Sequence, residues 1–284
     1  MLKNSRPLRA AIVQNLKFKM RKIFICLFFM SMVLCGNARA QLVMEKSRIE
    51  ETVKPGDTLV DSITLHNKSD EPMALSVYWQ DFDYLPPFDG QKKFTPAGTS
   101  QYTMSSWIAF SPDELTIPPH GKKDVNFTIK VPSDAVGGHY GVLFFERGSR
   151  QKKDVTGVNI VTRLGALFFI ESTNKNKSAA IKNIEIKEKA LKGVFENKGN
   201  IIFFPRGIYY IMDHEGMVLS RGEVKKIYLP PGNEAPFSID LSDELKEGEY
   251  TLVLTFDLNE GNSVVKEVDL KKVSSGYEIQ QVRD

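Results

Sequence analysis

Residues that could do acid–base or metal chemistry are scattered along this chain of 284 residues rather than grouped. Its four histidines lie in separate stretches with no spacing suited to a metal, namely His66, His120, His139 and His214. No nucleophile elbow, phosphate-binding loop or His-Glu-x-x-His pattern is present. We therefore expect no catalytic residues, no metal and no cofactor, and a protein that is not an enzyme. A hydrolase whose carboxylates are assembled only by the fold is the weaker alternative.

One acidic stretch has residue types that could form a calcium loop. Asp81, Asp83 and Asp89-Gly90 supply oxygen ligands of the right kind. Their spacing does not follow the ligand rhythm of known calcium loops, and no closing glutamate falls in register. An ordinary acidic turn is therefore the favoured interpretation.

The first 40 residues have the pattern of a secretion signal. Met20-Arg21-Lys22 gives a positive start, residues 23–34 form an almost wholly apolar run, and Ala38-Arg39-Ala40 is a small-x-small cleavage motif. The apolar run is too short to span a bilayer as a helix, and no second one follows it. We expect cleavage near Ala40, translation from either Met1 or Met20, and a periplasmic or extracellular protein without a transmembrane segment.

Removal of this leader changes both the charge and the cysteine content. The whole chain has 38 basic and 35 acidic residues, and eight of the basic ones but none of the acidic ones lie in the first 40, which leaves a net charge of about −5. A role in nucleic-acid binding is therefore not expected. Both cysteines, Cys26 and Cys35, also lie in the leader, so no disulfide is expected afterwards. Leu34 before Cys35 disfavours a lipid anchor.

An internal repeat indicates two domains. An alternating pattern from Phe127 to Phe144 returns 110 positions later, from Phe237 to Leu254. Each copy follows a proline-rich turn, Pro118-Pro119 in the first and Pro230-Pro231 in the second. A second repeated pair, Asn67-Lys68 and Asn197-Lys198, recurs after 130 positions. The difference of 20 predicts an insertion in the first copy, which we assign to residues 81–106.

The repeating unit is typical of β-structure. Val125, Phe127 and Ile129 alternate with polar residues, and 140–145 and 164–170 are short apolar runs typical of central strands. We therefore predict an all-β protein of two tandem immunoglobulin-like β-sandwiches after the signal peptide. The predicted segments are a leader at 1–40, a first sandwich at 41–172, a linker at 173–178, a second sandwich at 179–273 and a C-terminal tail at 274–284.

The first sandwich resembles the N-terminal domain of the periplasmic chaperones of pilus assembly. The resemblance covers most of residues 42–171 and rests on these elements: Arg48 on an early strand, the turn Lys54-Pro55-Gly56-Asp57, Ile63-x-Leu65-x-Asn67, Trp79, Leu115-x-Ile117-Pro118-Pro119, Val131-Pro132 before 140–146, and Thr162-Arg163 on the last strand.

This resemblance implies a binding mechanism. In that family, a basic residue on the first strand and another on the last strand hold the C-terminal carboxylate of the client, and Arg48 and Arg163 occupy the matching positions. Alternating residues before the second basic residue complete the client's fold, and here they are Val158, Ile160 and Thr162. The alternative role for both arginines is a surface or domain-interface ion pair.

A second resemblance indicates a different partner. The run 137–146, together with 193–200 and Pro205-x-Gly207, is similar to the extracellular part of bacterial WxL-interacting cell-surface proteins. That similarity implies binding to cell-wall polymer or another surface protein. We thus expect an exported protein-binding protein, a chaperone-like partner of secreted or surface-fibre subunits acting by β-strand addition. A cell-surface binding module is the alternative.

Overall fold

The computed structural model describes residues 41–147 and 161–284. Every regular element in these two stretches is a β-strand, which confirms the all-β prediction. The first sandwich contains ten strands: β1 Leu42–Met44, β2 Arg48–Val53, β3 Thr58–Asn67, β4 Met73–Tyr84, β5 Lys92–Pro96, β6 Ile108–Ser111, β7 Glu114–Ile117, β8 Lys122–Lys130, β9 Gly138–Arg147 and β10 Arg163–Ser172. The second contains eight: β11 Ala179–Lys187, β12 Ala190–Asn197, β13 Arg206–Met212, β14 Val218–Glu223, β15 Glu234–Asp240, β16 Gly248–Asp257, β17 Ser263–Val273 and β18 Gly276–Arg283.

Each sandwich is built from two sheets, as predicted. In the first, the sheet β1-β3-β8-β6 faces the sheet β2-β10-β9-β4-β5, and β7 pairs with β4 beside the latter. In the second, the sheet β11-β12-β15 faces the sheet β14-β13-β16-β17-β18. All of the strand pairs are antiparallel except β2 with β10, which run parallel.

The period-2 pattern of the sequence forms the core of the first sandwich. Val125, Phe127 and Ile129 of β8 are buried and alternate with more exposed polar residues. They pack against side chains of the opposite sheet, including Phe145 of β9 and Phe168 of β10, in one hydrophobic cluster. The alternation therefore predicts both the strand and the side that it buries.

The continuous apolar run in β9 has a different cause. Residues 140–145 of β9 are buried on both faces of the sheet, and β9 lies between β10 and β4. Leu143 and Phe145 face the core of the first sandwich, whereas Tyr140, Val142 and Phe144 belong to a cluster that continues into the second sandwich. A strand covered on both sides cannot show polar alternation.

The strands can be placed beside the segments expected from the sequence. The first sandwich ends with β10 at Ser172 and the second begins with β11 at Ala179, on either side of the predicted linker. The segment 274–284, which we predicted to be a tail, instead contains β18, the edge strand paired with β17. The predicted leader at 1–40, and Val158 and Ile160, lie outside the described residues. Across the two described stretches, no helix has the length and apolarity needed to cross a membrane.

Candidate functional site

Within residues 41–147 and 161–284, the last strand of the first sandwich has an edge that is only half occupied. β10 pairs with β9 along Arg163–Glu171, whereas its other edge pairs with β2 only from Leu167 onward. The N–H of Leu167 donates to the carbonyl of Ser47 at 3.0 Å, which closes that pairing. Among the described residues, no strand pairs with this edge at residues 163–166. We call these four positions the open edge.

The backbone direction of the open edge follows from its hydrogen bonds. The N–H of Arg147 in β9 donates to the carbonyl of Thr162 at 3.0 Å, so the backbone of Thr162 points toward β9. Alternate residues of a strand direct their backbone groups to opposite sides. Arg163 and Gly165 therefore direct their backbone N–H and carbonyl groups to the open edge. This is the same direction as that of the bonded N–H of Leu167. Thr162 itself has an exposed side chain.

Arg48 and Arg163 lie on one face of the same sheet. Arg48 is the register partner of Leu167, and Arg163 precedes Leu167 by four residues on β10. Register partners and residues two apart share a face, so both arginines project from the face opposite to the sandwich core, which we call the cleft face. Four residues of strand correspond to about 13 Å, so a group between the two arginines lies within reach of both side chains.

Arg48 lies against aromatic rings from both sandwiches. Its guanidinium carbon is 4.1 Å from the ring centroid of Phe169 and 5.0 Å from that of Phe204 in the second sandwich. Its Nε donates to the carboxylate of Glu50 at 2.6 Å. Both partners of this ion pair are exposed, and such pairs contribute little stability. The guanidinium is thus positioned chiefly by stacking, with donors left for a further acceptor.

Arg163 has its own aromatic support. Its guanidinium carbon lies 4.3 Å from the ring centroid of Phe144 and 5.6 Å from that of Phe94. Nη1 lies 3.5 Å from the hydroxyl of Tyr78, and that hydroxyl donates to Glu146 at 2.6 Å. Burial, followed by the bond to Glu146, raises the pKa of Tyr78. Tyr78 therefore stays protonated and links the arginine to the carboxylate.

A third cation, Lys92, lies on the cleft face and was not among the candidate residues expected from the sequence. It is the register partner of Tyr84, at the start of β5. Its Nζ lies 4.7 Å from the ring centroid of Tyr84 and 6.0 Å from that of Phe82. Burial, and then the nearby charge of Arg48, lower the pKa of Lys92. The sequence signal that could have found it is the alternation Lys92, Phe94 in the predicted insertion.

Replacing Lys92 with methionine should raise the free energy of unfolding at pH 7 by about 0.5–1 kcal/mol. A lysine whose pKa is lowered by folding binds its proton more weakly in the folded state, so its charge destabilises the fold at every pH below that lowered pKa. Methionine keeps the apolar stem and removes this cost. Urea unfolding measures the change, with Lys93→Met as the control because the side chain of Lys93 is exposed. A loss of stability in Lys92→Met would contradict this account.

Contacts between the two sandwiches position the cleft face. The buried hydroxyl of Tyr140 accepts a hydrogen bond from the N–H of Ile202 at 2.7 Å, and the N–H of Gly138 donates to the carbonyl of Asn200 at 3.0 Å. A side chain at position 138 would overlap the Tyr140 hydroxyl, so glycine is needed for this close approach. The hydroxyl of Tyr102 also donates to the carbonyl of Pro231 at 3.2 Å.

The acidic stretch has a structural role. Asp81 is fully buried, and its carboxylate accepts hydrogen bonds from the loop that follows β5. Asp83 accepts a hydrogen bond from the hydroxyl of Ser100 at 2.8 Å. In the stretches 41–147 and 161–284, no group of three or more histidines, cysteines and carboxylates is arranged to hold a metal ion. Asp81 therefore acts as an organiser of this loop.

Comparisons with known proteins find solved structures with a similar fold. No family model and no curated protein matches the chain. It is similar to a chain of the chaperone–tip adhesin complex of CFA/I fimbriae biogenesis, with 13% identity over 80% of this chain and 97% of that chain, and a TM-score of 0.51. It is also similar to the class 5 fimbriae chaperone CfaA, with 14% identity, coverage of 79% and 97%, and a TM-score of 0.48. A third similar structure is the CsuC–CsuE chaperone–tip adhesion subunit pre-assembly complex from Acinetobacter baumannii, with 10% identity, coverage of 80% and 98%, and a TM-score of 0.43.

The first of these similarities shows that the chain has the two-sandwich fold of pilus-assembly chaperones. The resemblance noted in the sequence is thus confirmed at the level of the fold. At 13% identity the match shows the fold alone and does not extend to residue roles.

Proposed function

We propose that this protein is a non-catalytic chaperone of secreted surface-fibre subunits and that it acts by β-strand addition along the open edge of β10. The observation that supports this most directly is the parallel pairing of β2 with only the second half of β10. An edge with free backbone groups is a ready template for a strand of another chain. The expected site of action is the periplasm.

The start of β2 determines where a client strand would end. A client strand that continues the line of β2, parallel to β10, would occupy the edge at residues 163–166. Its carboxyl terminus would then meet the beginning of β2, where Arg48 lies. Arg163, at the start of the open edge, would approach the same terminus from the neighbouring strand.

The energetics support a terminal carboxylate as the ligand. Charge-assisted hydrogen bonds from two arginines would contribute roughly 1.5–3 kcal/mol each when desolvated. The side chains of Ala166 and Phe168 face the sandwich core, and Arg163 has the opposite parity. Thr162 precedes Ala166 by four residues and so has the core parity. Val158 and Ile160 lie outside the described residues and stay, with Thr162, the proposed client-pairing residues.

The test is co-expression with a candidate fibre subunit. Arg48→Ala and Arg163→Ala should each lower the soluble client in periplasmic extracts by about tenfold, because each removes a charge-assisted contact to the terminus. Arg206→Ala is the matched control, since Arg206 is an exposed arginine paired with Glu223 on the second sandwich. Unchanged client solubility with both cleft variants, each shown to be folded by circular dichroism, would refute the proposal.

Binding of cell-wall polymer, the alternative expected from the sequence, gains no support from the comparisons. We therefore do not propose it as a function of this protein.

A further inference from the structure

We propose that Lys92 is a third cation of the client site and that it joins Arg48 and Arg163 in holding the chain-terminal carboxylate. This inference deepens the proposed function and rests on it. It assigns a binding role to the strand β5, which belongs to the insertion predicted at residues 81–106.

The register of the β4–β5 hairpin places Lys92 on the cleft face. Tyr84 pairs with Lys92 and Phe82 pairs with Phe94, so Lys92 and Phe94 share the face that bears Arg48 and Arg163. Lys93 lies between them and pairs with Asp83, on the opposite face of the hairpin. Two adjacent lysines thus differ in the face that they occupy, which makes Lys93 a matched control.

Four aromatic rings join Lys92 to Arg48. Phe82, Tyr84, Phe204 and Phe169 form a closed ring of contacts with centroid distances of 5.8, 6.1, 5.6 and 5.7 Å in that order, ending at Phe82. We call these four side chains the aromatic floor. Arg48 lies over Phe169 and Phe204, and Lys92 lies over Phe82 and Tyr84. Both cations therefore occupy one apolar surface at the junction of the two sandwiches.

The ammonium group of Lys92 lacks a carboxylate partner in the described part of the chain. Its one hydrogen bond there is to the carbonyl of Gly90, at a long 3.5 Å. Arg48 is paired with Glu50, and the ion pairs of these stretches include none to Lys92. Two cations over neighbouring rings of the aromatic floor repel each other, and an anion that contacts both would relieve that repulsion. A carboxylate has two oxygens and can accept from both at once.

The geometry of β2 favours a chain terminus over an acidic side chain as the source of this carboxylate. The first residue of β2 is Arg48, so a parallel strand on the open edge must end next to it. A terminal carboxylate is carried there by the backbone itself, and Phe94, with 36% of its surface exposed, is available for the last side chain of the client.

Binding of a synthetic peptide tests the proposal. The probe is a fluorescent 16-residue peptide of alternating valine and serine, prepared as the free acid, as the C-terminal amide, and as an amide ending in glutamate. We expect the free acid to bind the full mature chain about tenfold or more tightly than either amide, as measured by fluorescence anisotropy. Lys92→Met should weaken binding of the acid about tenfold and leave the amide unchanged, and Lys92→Arg should restore the preference. Lys93→Met should change neither affinity.

The outcomes separate this inference from the proposed function. If Lys92→Met keeps the preference for the acid while Arg48→Ala abolishes it, the role of Lys92 is refuted and strand addition stands. If the glutamate amide binds as tightly as the free acid, the assignment to a chain terminus is refuted. If the wild-type chain binds none of the three peptides, strand addition fails and the role of Lys92 fails with it.

Discussion

Replacing Asp81 with alanine should lower the free energy of unfolding by about 3 kcal/mol or more. The side chain is fully buried, and its two oxygens accept four hydrogen bonds. The donors are the indole of Trp79 at 3.3 Å, the N–H groups of Thr99 and Ser100 at 2.9 and 3.1 Å, and the hydroxyl of Thr103 at 2.8 Å. Alanine would leave the buried indole N–H of Trp79 and the buried N–H of Ser100 without this acceptor, and each such group is costly. The donors of Thr99 and Thr103 would lose it as well.

Asp81→Asn is the sharper test of this account because it keeps the shape. The amide has one acceptor oxygen and directs an NH₂ group at donors that it cannot satisfy, so it should cost nearly as much as alanine. For a chain of this size, a loss of about 3 kcal/mol corresponds to a fall in Tm of about 6–12 °C. Asp83→Asn is the matched control, since Asp83 is less buried and accepts one hydrogen bond from Ser100. Equal Tm values for the two asparagine variants would contradict the role of Asp81.

The consequences of Asp81 variants should extend to the client site. The loop organised by Asp81 carries Tyr102, which bonds to Pro231 of the second sandwich, and Tyr140 donates its backbone N–H to the carbonyl of Tyr102 at 2.8 Å. Loosening this loop therefore loosens the contact between the sandwiches. Lower client solubility in Asp81→Asn should accordingly accompany the loss of stability.

The sequence predicted the fold well wherever one face of a strand is buried and the other is wet. The alternation in β8 and the repeat between β9 and β16 indicated both sandwiches, because a sandwich core imposes period 2 on its strands. The same reasoning failed for β18. All eight of its residues are exposed or only partly buried, so no apolar period distinguishes this edge strand from a tail.

The site was predicted less completely than the fold. Arg48 and Arg163 were predicted as client-binding residues by resemblance, and the structure places them on one face. Two tertiary features bring Lys92 to the same surface as these arginines. One is the register of the β4–β5 hairpin, and the other is Phe204 of the second sandwich, which lies more than a hundred residues after Lys92 in the chain. Such contacts are set by tertiary packing, which local sequence patterns do not encode. The burial of Asp81 was missed for the same reason, since aspartate is seldom fully buried.

The repeated Asn-Lys pair of the sequence marks the same buried hydrogen-bonding arrangement in both sandwiches. Asn67 ends β3 and Asn197 ends β12, and both side chains are fully buried. The amide of Asn197 donates to the carbonyls of Ile201 and Leu229 at 2.8 and 2.9 Å, and its oxygen accepts from Gly199 at 2.9 Å. The amide of Asn67 donates to three carbonyls in the same way, those of Glu71, Ile117 and Pro118. Each asparagine thus ties the turn after its strand to the proline-rich turn of its sandwich.

Replacing Asn197 with aspartate should therefore lower the free energy of unfolding by about 3 kcal/mol. The carboxylate has the same shape but cannot donate, so it would face two buried carbonyl oxygens with a negative charge. Asn67→Asp should have an effect of similar size, because its amide donates to three carbonyls. Urea unfolding measures both, and Asn259→Asp is the matched control because Asn259 lies in an exposed turn. A cost in Asn197→Asp no larger than in the control would contradict the buried role.

The two variants should also act on a single unfolding transition. The hydrophobic cluster that contains Phe195 and Phe256 of the second sandwich includes Phe82, Tyr140 and Phe169 of the first. Sandwiches that share a core lose apolar burial together when either one opens, so they unfold cooperatively. Asn67→Asp and Asn197→Asp should accordingly shift the same transition, whether it is followed by tryptophan fluorescence, which reports Trp79 and Trp107 of the first sandwich, or by circular dichroism. If Asn197→Asp shifts circular dichroism but leaves the fluorescence transition in place, the sandwiches unfold separately, and the contact that positions Phe204 beside Arg48 is too weak to hold the client site together.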